Sequence, residues 1–87
     1  MRLSKEKRDK ISEQVLSYLY HNHPVALFTV SISRELARDE EFIKSLMLDL
    51  KKKGLVIDIR KNPQGIDYSR RIRWRLSNNA YSAYKSL

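Results

Sequence analysis

The hydrophobic period of this chain changes from helical to alternating at Gly54, and that change limits the folds open to it. Before Gly54 the apolar residues recur mostly with helical spacing; from Leu55 to Leu76 they alternate. Ile11, Val15, Tyr18 and Leu19 fall at i, i+4, i+7 and i+8, which is one stripe of a helix. Ser4 is a good N-cap, and Pro24 in "HNHP" disfavours helical backbone at His23. A first helix is therefore expected over residues 4–22. "VALFTV" (25–30) is rich in β-branched residues and reads as a brief strand or extended connector. Ser31 or Ser33 then caps a short second helix, 31–38, with Ile32, Leu36 and Ala37 inward. Asp39 caps a third, 40–53, whose Glu40 and Glu41 open it and whose Lys51, Lys52 and Lys53 close it, complementing the helix dipole. Gly54 is its expected C-terminal stop.

Beyond Gly54, Leu55, Ile57 and Ile59 alternate with Val56, Asp58 and Arg60, and Ile72, Trp74 and Leu76 alternate with Arg71, Arg73 and Arg75. Two such runs around "NPQG" predict a β-hairpin, 55–76, with one face buried and one wet. Ser77 caps a terminal helix, 77–87, in which Ala80, Tyr84 and Leu87 share a face beside Tyr81. The resulting order of helices and strands is α+β, and 87 residues suit one small domain, 1–87.

Charge narrows the function. Eighteen basic residues oppose ten acids, net +8, and residues 51–75 alone hold nine bases against Asp58 and Asp67. A balance so concentrated points to a polyanion. With no cysteine, disulfides and thiolate zinc sites are excluded. No apolar run reaches the roughly 18 to 20 residues of a membrane span, and "MRLSKEKRDK" precedes no signal-peptide core. A soluble, intracellular (cytoplasmic) protein without membrane contact is expected. His21 and His23, at i and i+2, do not converge on a metal and read as solvent-exposed. Asp39, Glu40 and Glu41 are explained by the helix N-terminus. There is no phosphate loop and no nucleophile motif, so neither enzyme nor cofactor is expected.

If Ile72, Trp74 and Leu76 enter the core, alternation puts Arg71, Arg73 and Arg75 on the other face. Like charges in a row repel unless an anion faces them, and arginine forks suit phosphate oxygens. Together with "LDLKKKGLV" closing the long helix, these elements resemble the winged helix-turn-helix family over about residues 10–76. The resemblance implies a three-helix core, a β-hairpin wing and an additional C-terminal helix. It also implies double-stranded DNA as partner and a small transcription regulator as role, with the third helix in the major groove and the wing on phosphate. Ile43, Met47 and Leu50 then face inward. The candidate contacts are Ser33 and Arg34 on the second helix and Glu41, Lys44 and Ser45 on the third. On the wing they are Lys61, Gln64, Arg70, Arg71 and Arg73. Small winged helices often pair through terminal helices, so a homodimer is the expected assembly. Two alternatives stand beside this reading. One is a protein-interaction module using Glu40, Glu41, Leu46 and Leu48. The other is RNA binding by the hairpin, ranked lower because paired aromatic stacking motifs are missing.

Overall fold

The computed structural model describes residues 4–60 and 72–87. Its elements are α1 (Lys5–Asn22), β1 (Leu27–Phe28), α2 (Thr29–Glu35), α3 (Glu40–Lys52), β2 (Val56–Ile59), β3 (Arg73–Leu76) and α4 (Asn78–Lys85). Ser4 starts α1 as expected, its hydroxyl oxygen accepting from the Lys7 N–H. The buried face of α1 is Ile11, Val15, Leu16 and Leu19; Leu16 takes the place expected for Tyr18, which is half-buried at the margin.

The second helix differs from the sequence expectation at both ends. It begins at Thr29 behind Phe28, with no side-chain cap, so neither Ser31 nor Ser33 caps it. Strand β1 shrinks to two residues because Thr29 is drawn into the helix and toward Trp74. At the other end Ala37 takes a left-handed φ of 53°. The Ala37 N–H donates to Arg34 O and the Arg38 N–H to Ser33 O, the paired bonds of a Schellman stop. Ala37 is consequently exposed rather than inward. The same motif ends α3, where a glycine suits the geometry better: Gly54 has φ 76°, its N–H donates to Lys51 O, and the Leu55 N–H donates to Leu50 O. At its start, Asp39 Oδ2 accepts from the Phe42 N–H at 3.1 Å.

The strands form one antiparallel sheet in the order β1-β3-β2. Val56 opposes Leu76, Ile57 opposes Arg75, Asp58 opposes Trp74 and Ile59 opposes Arg73. Directly opposed residues share a face, so Val56 and Asp58 lie on the side of Trp74 and Leu76. That reverses one reading of β2: Val56 is the core residue, at 1 % exposure, whereas Ile57 and Ile59 share the outer face with Arg73 and Arg75. With apolar residues at both parities from 55 to 59, only the partner strand decides the face.

Trp74, Leu76 and Val56 close the core over Ile11, Val15, Leu19, Ile32, Ile43, Leu46, Met47 and Leu50. The indole N–H of Trp74 donates to Thr29 Oγ1 at 2.8 Å. Ser77 caps α4 through the Ala80 N–H and also donates its hydroxyl hydrogen to Gly54 O at 2.8 Å, tying the start of α4 to the turn before β2. The helix stops at Lys85, and Leu87 is 98 % exposed, off the face expected for it. Tyr81 and Tyr84 each pack on Tyr20 with ring centroids 5.5 Å apart. His23 stacks on Tyr81 at 3.9 Å, so it is half-buried, while His21 is exposed.

Candidate nucleic-acid interface

Helix α3 buries Ile43, Leu46, Met47 and Leu50, and this stripe turns Glu40, Glu41, Lys44, Ser45 and Leu48 to solvent. The outward residues expected on this helix are thus accessible together. Leu46 goes into the core at 1 % exposure, leaving Leu48, at 38 %, as the single large apolar residue on that face. The helix is held at two points. Toward its C-terminal end, Asp49 pairs with Arg8 of α1, whose guanidinium also lies 5.6 Å from the Phe42 ring. In its last turn, Lys51 Nζ lies 3.1 Å from Asp58 Oδ1 of β2.

On α2, Arg34 is exposed, whereas Ser33, also expected as a contact, is buried. Its residue exposure is 5 %, and its hydroxyl donates to Val30 O at 2.8 Å. The left-handed turn at Ala37 ends α2 early. The expected wing contacts Lys61, Gln64, Arg70 and Arg71 lie outside the described residues.

The arginines of β3 do not form one uniform row. Arg73 is half-buried, with its guanidinium 6.0 Å from the Phe28 ring across the β1–β3 pair. Arg75 donates to Leu76 O at 3.0 Å and approaches Asn78 Oδ1 at 3.5 Å, so part of its donor capacity serves the join to α4. Both belong to the sheet face opposite the core. The α3 side of the sheet carries a separate basic group that the alternation pattern does not reveal: Arg60 Nε donates to Asp58 Oδ2 at 2.7 Å while Lys51 takes the other oxygen. Arg60 stands at the same parity as Asp58, and the local cue, "DIR", was legible only once β2 had a register. The Arg60 bond and then Lys51 hold the Asp58 carboxyl below its ordinary value, against burial, which pushes it up. The wing cations are therefore divided between two faces.

Among the described residues no group of His, Cys, Asp or Glu is arranged to hold a metal ion, and no helix is long and apolar enough to cross a membrane.

No family model and no curated protein matches the sequence, but solved structures match the fold. The chain superposes on a mutant of MepR from a multidrug resistant S. aureus clinical isolate with a TM-score of 0.71 at 21 % identity, over 88 % of this chain and 53 % of that one. An apo mutant of Lactococcus lactis ZitR gives 0.71 at 16 % identity, over 93 % and 56 %. The S. aureus MepR–DNA complex gives 0.72 at 24 % identity, over 93 % and 66 %. The chain spans about half the length of the first two. Element order, sheet order and these superpositions agree on a winged helix-turn-helix fold.

Proposed function

We propose that this protein binds double-stranded DNA and acts as a transcription regulator, with α3 in the major groove and the basic strands of the wing on flanking phosphate. The observation that carries the reading is the outer face of α3. Lys44, Ser45 and Glu41 stand exposed on a helix that is capped at both ends and tied to a cation-rich strand pair. Lysine and serine are ordinary groove contacts, and a carboxylate such as Glu41 can accept from cytosine N4. A solved neighbour of the same fold is a complex of MepR with DNA, and another is described as a transcription regulator of a multidrug efflux pump. This reading puts the protein wherever DNA is, inside the cell. It retains Arg34, Lys61, Gln64, Arg70, Arg71 and Arg73 as phosphate or groove contacts, and a homodimer through terminal helices. The protein-interaction alternative loses Leu46, the apolar centre it needed, to the core.

Fluorescence anisotropy with a labelled duplex at several salt concentrations tests the proposal. If about six phosphates are neutralised, log K falls against log salt with a slope near −5. Arg73→Ala weakens all duplexes alike, whereas Lys44→Ala with Ser45→Ala changes the ranking of sequences. Absence of duplex binding at low salt overturns the reading. Identical behaviour of the two variant classes overturns the assignment of α3 to the groove.

A further inference from the structure

We propose that Lys51 and Arg60, oriented by Asp58, form a clamp for one backbone phosphate of a DNA duplex at the junction of α3 and the wing. The inference rests on the DNA-binding reading and adds to it a site and a positioning residue. Asp58 sits at the edge strand with its side chain 13 % exposed, while those of Lys51 and Arg60 are 46 % and 40 % exposed. The carboxylate is thus the floor and the two cations are the rim. Each oxygen of Asp58 engages a different segment: Oδ1 takes Lys51 from the last turn of α3, and Oδ2 takes Arg60, the residue after β2.

The donor inventory leaves capacity for an anion. Among the described residues, Asp58 engages only Nε of Arg60, which leaves the N–H groups of both terminal guanidinium nitrogens and further hydrogens of the Lys51 ammonium for an anion. The trio carries a net charge of one positive, with both cations directed by one acceptor. A guanidinium fixed by a carboxylate loses less rotamer freedom when it meets phosphate, so its contact is stronger than that of a mobile arginine. The location also calls for cations. The C-terminal end of α3 is the negative end of its dipole and would repel a passing phosphate unless something offsets it. Phosphate contacts set register rather than sequence, so this clamp fixes how deeply α3 sits along the groove.

The test separates the clamp from general electrostatics by sign. Asp58→Asn makes the protein more positive by one charge, and unspecific attraction alone therefore tightens binding. Loss of the orienting carboxylate instead weakens it, by about three- to tenfold at matched salt. Lys51→Gln/Arg60→Gln removes one phosphate contact and lowers the salt slope by about 0.9. In that background Asp58→Asn has no further weakening effect, an outcome that a purely structural role for Asp58 does not produce. Partly exposed ion pairs contribute little to stability, so the thermal midpoint of Asp58→Asn stays close to that of the parent. Should this variant fold poorly, the Lys51→Gln/Arg60→Gln protein carries the test, and an unchanged slope overturns the clamp. If the parent binds duplex and Asp58→Asn binds as tightly or tighter, the clamp is wrong and the DNA reading stands. If the parent binds no duplex, it is the DNA reading that fails.

Discussion

Trp74 is the largest fully buried side chain, and one atom, Thr29 Oγ1, receives its indole N–H inside the core. Thr29→Val keeps the shape and removes the acceptor. The stranded N–H then costs about 1–3 kcal/mol, lowering the thermal midpoint by about 4–8 °C per kcal/mol in a domain of this size. Thr29→Ser, which keeps an oxygen, stays nearer the parent. Equal midpoints for the valine and serine variants would show that the bond matters little. This residue also explains why the start of α2 was illegible. Thr29 and Val30 are β-branched and follow a plausible strand, and no polar residue marks the cap. A tertiary hydrogen bond across 45 residues overrides the local preference.

At the scale of elements, caps and unambiguous periodicity were legible. Ser4, Asp39 and Ser77 start their helices as their side chains predict, and Gly54 ends α3. Ile43, Met47 and Leu50 were readable as the inward stripe of α3, whereas apolar Leu46 and Leu48 were not separated until the structure buried the first and exposed the second. The inward face of β2 was not, since residues 55–57 are all apolar and parity carries no information there. For the same reason the Lys51–Asp58–Arg60 group was out of reach: it needs both the register of β2 and the position of the end of α3. The burial of Ser33 and the early end of α2 were not legible either, because nothing local announces the left-handed Ala37. Helix α4 offers a prediction of its own. Burial, and then the charge of Glu13, push the Tyr84 hydroxyl above its ordinary value of 10.0. The folded state therefore favours the neutral phenol. Its contribution is complete below the unfolded value near 10 and is lost as pH rises through the higher folded value. Absorbance of tyrosinate against pH should show one of the five tyrosines ionising late, a step that Tyr84→Phe removes. A parent-like titration in that variant would exclude Tyr84 as its source.

For the whole molecule, charge sets two opposing responses to salt. A net charge of +8 on 87 residues repels itself in the compact state, and added salt screens that repulsion. The thermal midpoint therefore rises from low to physiological salt, while affinity for duplex falls over the same range. Midpoint and affinity falling together would show that attractive pairs such as Arg8–Asp49 outweigh the repulsion. The total charge was plain in the sequence, but its division between two faces of the sheet was not, because that depends on which strand lies in the middle.

The middle strand, β3, is also the last strand in chain order. During synthesis the first three helices and β1 leave the ribosome well before the segment that seals their shared apolar face. Long-range closure of this kind is the slow part of folding. A nascent chain ending before Ile72 lacks Trp74 and Leu76 and therefore has no fixed spacing between the third helix and the wing. On the DNA-binding reading proposed above, such a fragment carries positive charge without a ruler, and register on a duplex arrives with the final strand.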